Sequence, residues 1–388
     1  MKYRQNIYLL YAISFLQGLV FYGPVATLYR QAAGVSVFEI TIIESISLVL
    51  CIALEMPWGI LADRIGYKNT MIISCVVYFL SKAVFWKADG FGGFLLERVM
   101  LSVVMAGVSG CDISILYLSS KEGESQKVFG IYQSLSMAGL LTASLTYSLL
   151  IGENYRLAGF LTMVFYGIAA ILAFGLKEVK DKGEKKKRRS QFFHTFLEVM
   201  RDRYFLLGMV GITFLEETNQ TITVFLNQLQ YVKCGITPRT MGLFYILVTA
   251  AGMTGMWSFG LKNKMGTLKT GCVLFLLSCL SCLILYKTNS GALSVLCMVA
   301  LRLAASLFAP LKAELQNGRI TSAERATVLS IYAVIGEAAG VGTNLLFGRA
   351  AAANLSYAML CGAMLTALGC GLFVGCRIRE GRVFKTNR

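Results

Sequence analysis

The sequence is poor in charge. Only 15% of its 388 residues are Asp, Glu, Lys or Arg, against about 25% in a soluble globular chain. The shortage runs along the whole length, which excludes a soluble domain carrying a membrane tail. There is one histidine, His194, and no His/Cys/Asp cluster at metal-ligand spacing, so neither a metal site nor another cofactor is expected. No Gly-x4-Gly-Lys-Ser/Thr loop exists to cradle a nucleotide phosphate, and no nucleophile has a base partner. ATP-driven and enzymatic readings therefore lack their residues, and energy would come from an ion gradient. The first apolar run starts at Ile7 without a small-residue cleavage site after it, and reads as a retained helix.

Apolar residues take up the space that charge leaves, at 56% of the chain. A spanning helix needs about 20 of them, so the length allows about a dozen spans. Apolar runs fall at 6–30, 36–62, 69–88, 91–118, 125–150 and 156–177, then at 204–231, 239–261, 268–287, 291–316, 322–349 and 355–376. The expected fold is all-α, with twelve transmembrane helices in two bundles, 1–177 and 204–388, joined by a cytoplasmic basic linker, 178–203. Most of the eleven cysteines lie inside these runs, as small hydrophobes rather than a disulfide framework. Cys279 and Cys282 form a CxxC, but in the middle of an apolar helix.

The net charge of +16 raises the possibility of nucleic acid. Position decides against it. With the N-terminus inside, 26 of the 37 bases fall on the inner face and 7 on the outer, as the positive-inside rule requires. Both termini are then cytoplasmic. The run Lys185–Arg189 in the linker is an anchor between bundles or a contact for anionic lipid.

The halves echo each other. A shift of 200 residues lays Leu61, Asp63, Arg64 and Gly66 on Leu261, Asn263, Lys264 and Gly266, and a shift of 204 lays Arg98 on Arg302. Weak internal symmetry of this kind marks secondary transporters. The corner Gly59-Ile-Leu61-Ala62-Asp63-Arg64-Ile-Gly66-Tyr67-Lys68 carries the more specific signal. It resembles the loop after helix 2 in the major facilitator superfamily, with Tyr67 where that family has an arginine. Arg98 is similar to the family's helix-4 arginine, although Ser102 stands where glycine is expected. The Gly-Pro antiporter motif of helix 5 is missing from 125–150. Glu55-Met56-Pro57, Ser109-Gly110-Cys111-Asp112 and the stretch from Arg325 to Ser330 resemble a branch common in Gram-positive bacteria.

The resemblance implies a monomeric carrier in a bacterial plasma membrane, in contact with lipids. It would move a small molecule by alternating access, with protons as the coupling ion. In the family, the acid at Asp63 faces the N-terminus of helix 11, which here begins Thr321-Ser322-Ala323-Glu324. Gly59, Asp63, Arg64, Gly66 and Lys68 are thus expected to form a cytoplasmic gate, the alternative being a topology-setting turn.

Inside the membrane, ionisable residues are functional candidates by default. Glu216, Asn219, Gln220, Thr223, Asn227 and Gln230 recur at helical spacing, with Glu217 one residue round. The stripe suits a substrate cavity or an interhelical hydrogen-bond seam. For proton coupling the candidates are Glu216 and Glu217, then Glu337, with Arg302 able to neutralise either, and the pair Glu44–Arg98. Glu337 shares a face with Asn344. Both pairs also suit purely structural roles. Tyr11, Gln17, Phe21 and Tyr22 offer cavity aromatics and an amide, or plain packing. The expected function is proton-coupled export of an amphipathic compound. Uptake of a sugar, peptide or metabolite is the alternative, and a non-transporting sensor or lipid scramblase the reading from another class. Only three tryptophans are present, which disfavours a sugar site.

Overall fold

A computed structural model describes residues 3–386, save 109, 122, 180–198 and 319–324. Of 56, 59, 60, 63, 325–327 and 380–386 it describes the backbone alone. All regular structure among the described residues is helical. Ten stretches are long and apolar enough to cross a membrane. One of them, Pro238–Lys287, has 50 residues. At 1.5 Å per residue it is more than twice the length one crossing needs. It breaks at Gly266, whose φ of 77° is open to glycine. The helical run through Arg203–Gln220 and Asn227–Lys233 is long enough for another crossing. Its polar residues keep it off a hydropathy count. The architecture is consistent with twelve crossings.

The chain divides into two compact units: Met1–Glu184 with Thr237–Ile246, and Lys185–Ile236 with Leu247–Arg388. The first holds α1 (Arg4–Gly18), α2 (Ala26–Ala32), α3 (Val37–Ile65), α4 (Tyr67–Lys87), α5 (Gly90–Val108), α6 (Cys111–Ser119), α7 (Ser125–Thr146) and α8 (Tyr155–Ala173). In it α5 packs on α3 and α4, and α8 on α1 and α4. A capping box starts α3: Ser36 Oγ accepts from the Glu39 N–H at 3.3 Å, and the Glu39 carboxylate accepts from the Ser36 N–H at 2.8 Å. Where α1 crosses α7, a Cβ on Gly18 would lie 2.2 Å from the Ser136 carbonyl. Only glycine permits that approach.

The sequence assigns Thr237–Ile246 to the second bundle, yet it packs with the first unit. The Arg239 guanidinium donates to the carbonyls of Ser148 (3.1 Å) and Leu149 (3.2 Å), and a Cβ on Gly242 would sit 2.3 Å from the Ser144 carbonyl.

The second unit holds α9 (Arg203–Gln220), α10 (Asn227–Lys233), the end of α11 (Pro238–Ala251), α12 (Ser258–Lys287), α13 (Gly291–Asn317), α14 (Arg325–Ala353) and α15 (Leu355–Thr386). Here α15 packs on α9 and α12. Gly211 and Gly369 let α9 and α15 approach closely, since a Cβ on either would lie within 2.6 Å of the other's carbonyl oxygen. Phe275, Phe308 and Phe373 fill the core below it.

The 200-residue echo has a geometric counterpart. Gly66 (φ 89°, ψ 155°) and Gly266 (φ 77°, ψ 162°) turn the two corners in the same backbone conformation.

Candidate functional site

The polar stripe does not run straight. Between α9 and α10, Thr221–Leu226 forms a π-helical turn. The run Thr-Ile-Thr-Val is β-branched and stiff at χ1. Thr223 Oγ1 donates back to the Asn219 carbonyl at 2.8 Å, a bond that competes with the α-helical ladder. A π turn inserts one residue, which rotates everything after it by about 100°. Sequence spacing alone does not reveal this.

The rotation splits the stripe in two. Glu216, Glu217, Asn219 and Gln220 line a cavity of about 780 Å3 within the second unit. Thr223, Asn227 and Gln230 turn into the protein, at 3% exposure or less. There Gln230 Nε2 donates to Ser294 Oγ at 3.2 Å and to the Thr288 carbonyl at 3.3 Å, a packing seam. Asn344 belongs to a similar seam, its Oδ1 accepting from Thr221 Oγ1 at 3.1 Å. The stripe thus meets a cavity at one end and an interhelical hydrogen-bond seam at the other.

The cavity's far walls come from Gly252–Trp257, a 3-10 turn, and from α13. Ser306 Oγ ties them by donating to the Gly252 carbonyl at 2.7 Å. A Cβ on Gly252 would come within 2.8 Å of Arg302 Nε, so the missing side chain is what lets Arg302 lie there. Lys312 Nζ donates to Glu216 Oε2 at 2.5 Å, with the two side chains 27% and 29% exposed. Lys312, not Arg302, therefore neutralises Glu216. The pairing of Glu337 with Arg302 is not observed. Glu337 acts electrostatically on Glu217, as do Glu216 and Lys312. Among the described residues Arg302 and Glu217 have no ion-pair partner within 4.0 Å.

The first unit holds a different constellation. Glu44 pairs with Arg98 and, at 3.2 Å, with Arg30, a base that position alone assigns to an external loop. Lys82 Nζ meets Glu97 Oε1 at 3.1 Å, with side-chain exposures of 4% and 1%. The rings of Tyr22, Tyr78 and Tyr166 surround the ammonium at 5.2–5.7 Å. Nothing in the sequence joins Lys82 to Glu97, which are 15 residues apart on different helices.

Beside this cluster lies a smaller cavity of about 430 Å3, lined by Ser14, Gln17, Tyr78, Tyr132, Gln133 and Ser136 among others, with no charged side chain in the described lining. Gln17 is thus at a cavity wall. Its expected companions are packed. Tyr11 donates to the Val128 carbonyl at 3.3 Å, Phe21 lies against Phe165 at 5.6 Å, and Tyr22 stacks on Phe85 at 4.0 Å.

At the corner, the Asp63 side chain and the helix start Thr321–Glu324 lie outside the described residues, as do His194 and the basic run Lys185–Arg189, and Gly59 is described by its backbone alone. Arg64 is exposed and Lys68 half-buried. The described partner of the corner is Glu178. Its carboxylate accepts from the N–H groups of Tyr67 (3.1 Å) and Lys68 (3.2 Å), closing the N-terminus of α4.

The chain matches the Major Facilitator Superfamily over residues 7–343, and it belongs to that family. It is a multi-pass membrane transporter by family, not an enzyme. It is 24% identical over 292 residues to an uncharacterized MFS-type transporter of Methanocaldococcus jannaschii, a match covering 71% of this chain and 73% of the relative. Its fold is similar to that of the nucleoside transporter NupG (TM-score 0.82, 13% identity, 96% of this chain and 98% of the other). The peptide transporter POT also superimposes, with TM-score 0.76 at 14% identity over 97% and 95% of the two chains.

Proposed function

We propose that the protein is a secondary active transporter that moves a small organic solute across the plasma membrane by alternating access, coupled to protons, in the direction of export. The observation behind this reading is the cavity of about 780 Å3 bearing Glu216, Glu217 and Arg302. Its volume lies in the range of small-molecule sites, about 300–1,000 Å3. Glu217 is the carboxylate to which we assign the proton. It has no ion-pair partner of its own among the described residues, so the same oxygens are free for a proton in one state and a cationic group in the other. The 26-to-7 distribution of bases supports cytoplasmic termini. The shortage of tryptophan disfavours sugar uptake and so supports export.

Uptake of a neutral polar solute is the second reading. It is favoured by the uncharged first-unit cavity, whose amides, hydroxyls and phenols suit a nucleoside-like molecule, the class named for NupG.

Purified protein in proteoliposomes separates these readings. Export coupled to protons predicts solute-driven proton flux that Glu216→Gln with Glu217→Gln removes. Transport indifferent to pH and to that double change defeats the coupling.

A further inference from the structure

Resting on the transporter reading, we infer that the solute is amphoteric: it carries a cationic group and an anionic group on one small, largely apolar frame, as amino acids and short peptides do. The cavity presents two unsatisfied partners of opposite sign. On one wall stand Glu217 and Asn219. Asn219 is 5% exposed, and its Oδ1 has no hydrogen-bond partner among the described residues. A carboxylate and an amide oxygen are both acceptors, and together they suit an ammonium. On another wall stands Arg302, whose guanidinium is a planar fork matched to a carboxylate.

The two walls could have neutralised each other, but no ion pair joins Arg302 to either acid within 4.0 Å. Glu216, by contrast, is already engaged by Lys312. The separation decides the ligand class. A cation alone would leave Arg302 desolvated and unmatched, and an anion alone would leave Glu217 so once the proton assigned to it has left. Leaving a charged group unmatched on binding forfeits affinity. Only a solute bearing both signs satisfies both walls. Ala305, Ala309 and Ala313 of α13 leave room in the same lining, and Met253 and Met256 offer adaptable apolar surface for the solute's frame.

Gly252 is a positioning residue in this arrangement. Its bare Cα admits Arg302 Nε, so Gly252→Ala pushes the guanidinium aside at a flexible side chain rather than at backbone. That variant tests the placement of the cation without removing its charge.

The test uses the full-length protein, purified and in proteoliposomes. The probes are the twenty standard amino acids and the alanyl dipeptides, each with its methyl ester (cation only) and its N-acetyl form (anion only). Readouts are thermal stabilisation and solute-driven proton flux. We expect at least one zwitterion to bind, with its ester and its N-acetyl form weaker by about thirtyfold or more. Arg302→Gln should erase discrimination against the ester and keep that against the N-acetyl form. Glu217→Gln should do the reverse, and Gly252→Ala should weaken discrimination against the ester alone. The inference falls if no zwitterion in the set binds, if a singly charged form binds as tightly as its parent, or if discrimination survives both charge removals. Flux driven by singly charged solutes alone would remove the amphoteric assignment and keep the transporter. No flux with any solute in any charge state would remove the transporter reading itself.

Discussion

Each unit brings a set of acids and bases together among its helices, and the two sets are used differently. In the first unit Arg30, Lys82 and Arg98 face Glu44 and Glu97, three cations to two anions. In the second, Lys312 meets Glu216 and acts with Glu337 on Glu217, and Arg302 lines the same cavity as Glu216 and Glu217. The first set is closed. Lys82 and Glu97 are almost wholly buried, and tyrosine rings surround the ammonium. The second opens on a cavity, with the Lys312–Glu216 pair more than a quarter exposed. Burial separates charges that hold the protein together from charges that remain free for a solute. A pair in a dry interior gains from attraction only while both members stay. A pair beside a cavity is solvated and exchanges partners cheaply.

The largest effect should therefore follow from breaking a buried ion pair in the closed set. Lys82→Met leaves Glu97 at 1% exposure without its ion-pair partner, and Arg30 and Arg98 act on it only from beyond contact distance. We expect a loss of about 3–5 kcal/mol, seen as collapse of the folded, monodisperse fraction in detergent. Adding Glu97→Leu removes the stranded charge and should restore most of the stability. If Lys82→Met alone melts like the parent, the first-unit cluster is wetter than its packing indicates, and the contrast between units disappears.

The next effect compares the two corners. Gly66 and Gly266 share a conformation that side chains avoid, so alanine at either should cost about 1–3 kcal/mol. Their surroundings differ. A Cβ on Gly66 would lie 2.6 Å from the Glu178 carboxylate, whereas nothing lies within 4 Å of one on Gly266. Gly66→Ala should thus cost about 1 kcal/mol more, because displacing Glu178 uncaps α4. Faster amide exchange at Tyr67 and Lys68 in that variant would report the lost cap. Equal costs at both corners would show that Glu178 contributes nothing.

These examples show how much the sequence discloses. The all-helical, many-span architecture and the family were legible because a membrane imposes long apolar runs, and because the corner Gly59–Lys68 concentrates a distinctive set of residues in one topological slot. The glycine echo at 66 and 266 was legible because only glycine adopts that backbone. Cavity and seam were not separable, since the π turn at Thr221–Leu226 resets the helical phase within the stripe. Arg30 was placed outside by position alone, although Glu44 draws it into the buried cluster. Lys82–Glu97 and Glu178–Tyr67 were beyond reach, because each joins segments that only tertiary packing brings together. Gln17 illustrates the converse. Tyr11, Phe21 and Tyr22 look equally suited to a cavity wall, yet of these four residues Gln17 is the one in the described lining of the first-unit cavity.

The smallest stability effect should come from Lys312→Met, and it bears most directly on the contrast. The substitution removes the cation that Glu216 accepts from, but leaves that carboxylate beside a cavity, where water can solvate it. The loss should stay below about 1 kcal/mol, several times less than for Lys82→Met. Function should respond in the opposite order. With Lys312 gone, Glu216 joins Glu217 as a second uncompensated acid, so the cavity should bind cationic solutes more tightly and anionic ones less. The two melting temperatures, measured side by side with binding of a matched cation and anion, decide the matter. A large stability loss at Lys312 with unchanged ligand preference would place it among the structural charges and leave Glu217 and Arg302 as the second unit's only unpaired ones among the described cavity residues.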